Sequence, residues 1–105
     1  MITIKRLHSI VNADTPYEVY INGNLMGTVK DNESLSFNLR TSSNNKMYVK
    51  YKKVTSEVIE FDIDANQVKE YSIKTNKKET FIKDLIRKLT LKKYLEIKLE
   101  KDYYL

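Results

Sequence analysis

Apolar and polar residues alternate with a period of two along most of the chain up to residue 75. In the clearest stretch, 17–21, apolar positions alternate with polar or amphipathic ones, as in a β-strand with one buried face. Asn22-Gly23 follows directly, and a second β-rich run covers 25–29. Because Asn and Gly both tolerate a positive φ angle, this pair predicts a tight hairpin turn. Gly27, inside the second run, predicts a β-bulge or a close backbone approach.

Five further segments are also predicted to be strands, although the spacing of Val68, Tyr71 and Ile73 in the last of them is uneven and predicts a bulge near Lys69 and Glu70. In 35–39 the apolar residues are Leu35, Phe37 and Leu39, and they alternate with Ser36 and Asn38, which are expected to face water. The other segments are 2–7, 46–52, 59–63 and 68–73. Short strands at intervals of roughly 8–12 residues, with polar turns between them, are typical of antiparallel sandwiches. The pattern therefore predicts a mainly β protein, an immunoglobulin-like antiparallel sandwich of six or seven strands.

The pattern changes after Thr75. Residues 76–79 have the form of a capping box, in which an asparagine caps a helix and a glutamate reaches back to its backbone. The apolar residues that follow lie on one face of an amphipathic helix predicted from Lys77 to about Leu89; they are Phe81, Ile82, Leu85, Ile86 and Leu89. Strand alternation then returns and favours a short last strand over 94–101. We expect one domain, with the sandwich over 1–74 and the segment 75–105 packed on it.

Length and composition agree with a single globular domain. The chain has 105 residues, of which 41% are hydrophobic and 31% charged, as is ordinary for soluble proteins. It contains no cysteine, which excludes disulfides and thiolate zinc sites. No signal-peptide pattern is present, and no run approaches the ~20 apolar residues that span a membrane. A cytoplasmic location is therefore expected by default.

The positive charge is concentrated in the C-terminal segment. Residues 1–76 hold ten Lys/Arg and nine Asp/Glu, whereas 77–105 hold nine and five. Such asymmetry is typical of a surface for anionic partners, although a well-solvated tail has the same composition. The candidate residues for an anionic-partner surface are Lys83, Arg87, Lys88, Lys92 and Lys93.

A second basic candidate is the strand predicted over 46–52. Alternation places Lys46, Tyr48, Lys50 and Lys52 on one face. Lysines can hold phosphates while an exposed aromatic ring stacks on a base, as on sheets that bind oligonucleotides. Lysine on a solvent-facing strand also protects a sheet against edge pairing, and no ribonucleoprotein-type motif accompanies the pattern.

The candidates for chemistry are few. His8 is the only histidine, and Ser9 beside it cannot act as its nucleophile without a site built by the fold, so a solvated loop histidine is expected. Residues 62–66 have the opening spacing of a calcium loop, but Gln67 and Ile73 replace its glycine and closing glutamate. A strand end followed by an Asx turn explains them better. No catalytic residue, metal or cofactor is predicted, and the chain is not expected to be an enzyme.

Residues 16–28 read Pro-Tyr-Glu-Val-Tyr-Ile-Asn-Gly-Asn-Leu-Met-Gly-Thr. This stretch resembles the PEGA-type module, a small β-sandwich of bacterial surface and multidomain proteins, in its proline, its Val-Tyr-Ile run, its Asn-Gly and its Gly-Thr. The likeness extends to about residue 74. It departs from the family where 41–45 replaces a Pro-Gly turn, in the lack of an export signal, and in the C-terminal segment. The resemblance implies a structural or binding module without known chemistry.

These observations predict a non-catalytic interaction or accessory module whose partner is a protein. The alternative is basic-surface binding of nucleic acid or an anionic membrane, through the C-terminal segment or the strand 46–53. The apolar face of the predicted helix suits packing on the sandwich, a membrane or a partner. Elution from heparin in a salt series would separate the two functions, because binding to a polyanion weakens with salt.

Overall fold

The computed structural model describes residues 1–10, 13–75 and 95–105, and these residues form nine β-strands in two sheets. The strands are β1 (Ile2–Arg6), β2 (Tyr17–Ile21), β3 (Asn24–Val29), β4 (Ser34–Phe37), β5 (Ser42–Tyr51), β6 (Val54–Thr55), β7 (Ile59–Ile63), β8 (Gln67–Thr75) and β9 (Leu95–Tyr104). The seven segments in which the sequence predicts a strand up to residue 73 all contain one. The two-residue strand β6 is too short to leave an alternation pattern.

The first sheet has the strand order β4-β1-β8-β9. In the second sheet the order is β3-β2-β5, and both β6 and β7 pair with the remaining edge of β5. All pairs are antiparallel except β1 with β8, which is parallel. The predicted antiparallel sandwich is therefore wrong at this pair. Alternation along a strand determines which residues are buried, but not which strand lies beside it or in what direction.

The core lies between the two sheets and consists of the apolar residues at alternate strand positions. The first sheet contributes Ile2, Ile4, Tyr71, Ile73 and Leu95, and the second contributes Tyr17, Val19, Ile21, Val29, Met47, Val49, Phe61 and Ile63. The side chains of Leu35, Phe37 and Leu39 are half-buried against this core, while Ser36 and Asn38 are exposed. The predicted faces of β4 and the residues after it are thus confirmed.

The β2–β3 hairpin turns where the sequence predicts. Asn22 and Gly23 have φ angles of 52° and 81°. The register shifts by one residue within the hairpin, so that Met26 is an extra residue on β3. Next to this bulge, a Cβ added to Gly27 would lie 3.2 Å from both terminal methyl carbons of Leu35. A bulge and a close approach therefore both account for Gly27.

Replacing Gly23 with valine should lower the free energy of unfolding by more than about 1 kcal/mol, because a β-branched residue tolerates a positive φ angle poorly. A Cβ at this position would meet no atom within 4 Å, so the cost comes from the backbone alone. Urea denaturation measures the effect, and Asn24→Val, at the next exposed position, is the control. Equal urea midpoints for the two variants would contradict the turn geometry.

The predicted fold class also included one C-terminal amphipathic helix, and this is corrected. The described residues contain strands and no helix, and the range 77–89 that was predicted as helical lies outside them. The described C-terminal residues form β9, which is ten residues long. It takes the place of the short strand predicted over 94–101. β9 joins the fold through backbone pairing with β8 along its whole length, so this part of the C-terminal segment is held by a sheet and not by an apolar helix face.

A β-bulge interrupts the pairing of β8 with β9. Glu70 pairs with Lys101 and Tyr71 with Leu99, so Glu100 is the extra residue. The uneven apolar spacing of 68–73 predicts a bulge near Lys69 and Glu70, and the structure places the extra residue on the neighbouring strand. Bulges re-aim side chains and increase local twist, and this one directs Glu100 towards the outer face of the first sheet, where its Oε1 accepts a hydrogen bond from Ser72 Oγ at 3.0 Å.

Candidate functional site

Two tyrosines lie stacked on the outer face of the second sheet. Tyr20 of β2 is directly opposite Tyr48 of β5, and their rings are 5.0 Å apart between centroids and inclined by only 10°. Leu25 of β3 lies opposite Tyr20 on its other side and is 54% exposed. The three side chains form an apolar row across three strands. We call this row and its charged neighbours Glu18, Lys46, Lys50 and Glu60 the tyrosine face.

Strand alternation explains why these residues point outwards. Val19 and Ile21 are buried in the core, and so are Met47 and Val49. Their neighbours along β2 and β5, Tyr20 and Tyr48 among them, must therefore project from the other face of the sheet. A stacked aromatic pair contributes about 0.5–1.5 kcal/mol beyond its buried area, which holds the two rings in a fixed arrangement.

The charges of the tyrosine face are balanced. In the strand register Lys50 lies opposite Glu18 and Lys46 lies opposite Glu60. Tyr20 Oη donates a hydrogen bond of 3.3 Å to Glu18 Oε1. Desolvation raises the pKa of Tyr20 above its ordinary value, and the nearby Glu18 carboxylate adds to the shift. The Tyr20 phenol is therefore neutral at physiological pH and acts as a hydrogen-bonding group.

The structure unites three of the four residues of the second basic candidate. Lys46, Tyr48 and Lys50 share the outer face, whereas Lys52 lies in the turn after β5 with a φ angle of 53°. Its Nζ lies 5.4 Å from the ring centroid of Tyr51, away from the tyrosine face. The other candidate residues, Lys83, Arg87, Lys88, Lys92 and Lys93, lie outside the described residues, and their role stays a prediction.

Sequence reasoning missed the contribution of β2 and β3 to this surface. Glu18 and Tyr20 alternate with the buried residues of β2, so their outward direction could be predicted. That they lie beside Lys50 and Tyr48 depends on the pairing of β2 with β5, two strands that are separated along the chain by β3 and β4. No local signal in the sequence specifies that pairing.

The outer face of the first sheet carries a depression of about 390 Å³. It is lined by Thr3, Lys5, Leu7, Ser34, Glu70, Tyr71, Ser72, Glu100 and Lys101. Its two carboxylates already accept hydrogen bonds from neighbours: Glu100 from Ser72 at 3.0 Å and Glu70 from Tyr103 Oη at 3.1 Å. The bond to Glu70 raises the pKa of Tyr103. Charged side chains of both signs and hydroxyl groups thus line this depression together with Leu7 and Tyr71.

Asp31 anchors the loop that follows β1. Its Oδ2 is 2.6 Å from His8 Nδ1, and its Oδ1 accepts a 2.9 Å hydrogen bond from the backbone N–H of Ser9. The Ser9 hydrogen bond lowers the pKa of the Asp31 carboxyl, the His8 bond adds to this, and Arg6 contributes through its charge. Asp31 therefore holds this loop through the His8 side chain and the Ser9 backbone.

Asp31 should make stability depend on pH at the acid end. Its folded-state pKa lies below the unfolded value of about 3.9. Its stabilising contribution is therefore complete above the unfolded pKa and is lost as the pH falls through the lower folded pKa. Urea denaturation across this range should show a steeper loss of stability for the wild type than for Asp31→Asn. Identical pH profiles would show that Asp31 does not act through its carboxylate charge.

The calcium-like spacing at 62–66 has another explanation in the fold. Asp62 Oδ1 accepts a 2.8 Å hydrogen bond from the backbone N–H of Asn44, and Asp64 Oδ2 accepts one of 2.7 Å from Tyr104 Oη. Both carboxylates thus hold neighbouring segments in place. Within 1–10, 13–75 and 95–105, no three His, Cys, Asp or Glu side chains are grouped to hold a metal ion. The same ranges contain no helix with the length and apolarity that crossing a membrane requires.

The tyrosine face is the surface on which aromatic, apolar and charged side chains of three strands converge. Its described members are fixed by strand pairing and by ring stacking, and none of them is needed in the core. A relative of established function would give independent evidence for the role of this face. The chain matches no protein-family model, no curated protein and no solved structure.

Proposed function

We propose that this chain is a non-catalytic β-sandwich interaction module that binds a partner protein through the tyrosine face. The observation that carries the proposal is the row of Leu25, Tyr20 and Tyr48, which lies on the solvent side of the second sheet. When a partner removes apolar and aromatic side chains in such a place from water, the free energy of the complex is lowered. Tyrosine in particular is enriched at protein interfaces and at their energetic centres.

The charge pattern supports a protein as the partner. Two lysines and two glutamates flank the apolar row, each lysine opposite a glutamate. A protein surface can match such a pattern with an apolar centre and opposite charges at its rim, and this complementarity fixes orientation and specificity. The neutral phenol of Tyr20 adds a hydrogen-bonding group at the centre. The resemblance of residues 16–28 to the PEGA-type module also favours a binding role without chemistry.

The second candidate function is binding of single-stranded nucleic acid. It is favoured by the position of Lys46, Tyr48 and Lys50 on one face. Stacking on an aromatic ring and phosphate contacts by lysine are the recurring elements of such sites. Affinity for a polyanion grows with the excess of positive charge along its path. The carboxylates of Glu18 and Glu60 reduce that excess at this face, and for this reason we place the protein partner first.

Site-specific photocross-linking in the cells that produce the protein tests the proposal. A photoreactive phenylalanine analogue at Leu25, an exposed position at one end of the row, should give a discrete adduct with one protein. The double variant Tyr20→Ser, Tyr48→Ser should lose this adduct but stay folded, because both side chains lie outside the core, and the lost ring stacking should cost about 0.5–1.5 kcal/mol of unfolding free energy. The analogue at Lys74, an exposed residue of the other sheet, is the matched control and should give no such adduct.

Two results would overturn the proposal. The first is an adduct that persists in the tyrosine double variant or appears equally from position 74. The second is salt-sensitive binding of an oligo(dT) probe that is lost in Lys46→Glu, Lys50→Glu, which would assign the face to nucleic acid instead.

A further inference from the structure

The outer edge of β9 forms one boundary of the first sheet. Among the described residues only β8 pairs with this strand, along its other edge. β9 is ten residues long, whereas β4, at the opposite edge of the same sheet, has four. An edge strand presents a row of backbone N–H and C=O groups that can pair with another strand. Proteins keep such edges short or protect them with charged side chains and β-bulges. β9 carries charges and a bulge, and it is nevertheless ten residues long.

The inner side of β9 carries apolar side chains that the core of one chain does not fully cover. Leu95, Ile97 and Leu99 lie opposite the inward residues Thr75, Ile73 and Tyr71 of β8. Leu95 is buried, but Leu99 remains 45% exposed although it points to the same side. An apolar residue that faces the core side at a sheet edge and stays half exposed is incompletely covered. A further strand beside β9 would cover it.

The charges of β9 indicate which strand, in which register, can pair with its outer edge. Leu99 lies near the middle of the strand. Lys98 precedes it on the outer face, and the bulge places both Glu100 and Lys101 after it on that face. If a second β9 runs antiparallel around a two-fold axis at Leu99, each Lys98 faces the bulge of the other copy, and Glu100 is the residue of that bulge next to the axis. Opposite charges across a strand pair stabilise it. In the register centred on Lys98 two lysines would face each other, and in that centred on Ile97 only residues 95–99 of the two described strands would overlap.

We propose that β9 pairs antiparallel with β9 of a second copy of this chain, with the two-fold axis at Leu99. The two four-stranded sheets then form one continuous sheet across the interface. The two Leu99 side chains lie against each other on the inner face, and two Lys98–Glu100 pairs lie on the outer face. The tyrosine face belongs to the other sheet and stays accessible in this dimer, so the proposal does not depend on the proposed function.

Single cysteines test the register directly, because the chain has no cysteine of its own. In the proposed dimer the Cα atoms of the two residues at position 99 lie about 4.5–5.5 Å apart, as in any directly opposed antiparallel pair. This distance lies within the range of about 4.4–6.8 Å that a disulfide needs. Leu99→Cys should therefore form a covalent dimer under mild oxidation. The control is Tyr103→Cys, whose two copies lie roughly 25 Å apart across the axis and should not cross-link.

Charge exchange tests the outer face of the same interface. Sedimentation equilibrium of the full chain should show a concentration-dependent dimer. Lys98→Glu should weaken the dimer roughly tenfold, since two attractive pairs become repulsive. Adding Glu100→Lys should restore most of the affinity. Leu99→Lys places two like charges at the axis and should give a monomer whose urea midpoint is close to that of the wild type, because the side chain is half exposed in one chain.

Three outcomes would overturn the proposal. One is a wild-type chain that sediments as a monomer at concentrations up to several hundred micromolar. Another is a dimer in which Tyr103→Cys cross-links as readily as Leu99→Cys. The last is a dimer that the Lys98→Glu and Leu99→Lys variants retain unchanged, because that dimer must be built on another surface.

Discussion

Replacing Arg6 with alanine should lower the free energy of unfolding by about 3–5 kcal/mol, a large part of the stability of a domain of this size. Arg6 is the last residue of β1 and is completely buried. Its Nη1 donates hydrogen bonds to the carbonyl oxygens of Thr15 at 2.6 Å and Val29 at 3.2 Å. Its guanidinium carbon lies 3.5 Å from the ring centroid of Tyr17. The alanine variant loses the stacking, leaves a cavity and deprives two carbonyl groups of their donor.

The variant Arg6→Lys separates the contribution of the positive charge to stability from that of the guanidinium shape. Lysine keeps the charge but has neither the planar fork nor the flat surface that stacks on Tyr17. We expect an intermediate loss of stability, measured as the urea midpoint at neutral pH. If lysine restored full stability, a point charge alone would suffice. If alanine cost less than about 1 kcal/mol, the buried position of Arg6 would be wrong.

Ile73→Ala should be the second large effect, with a loss of about 2–5 kcal/mol in unfolding free energy. Ile73 is completely buried and lies in β8 between Arg6 of β1 and Ile97 of β9. Truncation there leaves a cavity in the middle of the first sheet, where backbone pairing on both sides limits collapse. Lys74→Ala, at the next and exposed position of β8, is the control and should change stability by less than about 0.5 kcal/mol. Equal losses for the two variants would mean that the register of β8 is wrong.

Arg6 illustrates what a sequence pattern does and does not determine. Ile2, Ile4 and Arg6 occupy every second position, so alternation alone places Arg6 on the inner face. Charged residues are almost never fully buried unless they are paired, and a charged pair at 5–6 reads as the polar end of a strand. The deciding contacts, with Tyr17 and with the carbonyl oxygens of Thr15 and Val29, come from other segments. Local pattern cannot supply them.

The candidate site shows the same division. Alternation correctly placed Tyr48 between Lys46 and Lys50 on an outward face. It could not show that β5 would lie beside β2, which brings Tyr20 onto Tyr48 and Glu18 opposite Lys50. It also could not show that the chain turns after Tyr51, which moves Lys52 off the face. The turn Asn22-Gly23 was predictable because its chemistry is contained in two adjacent residues, whereas strand order depends on contacts between distant ones.

The parallel pair of β1 with β8 has a consequence for the order in which the molecule can assemble. Every described strand of the second sheet lies within residues 17–63, so these strands can pair within one continuous stretch of chain. The first sheet cannot, because β1 is one of its two central strands and its neighbour β8 begins only at Gln67. Closing so long a loop costs entropy before any pairing compensates for it, and non-local pairing slows folding. During synthesis on the ribosome, one edge of β1 would therefore stay unpaired until the strands within 17–63 and then β8 had emerged.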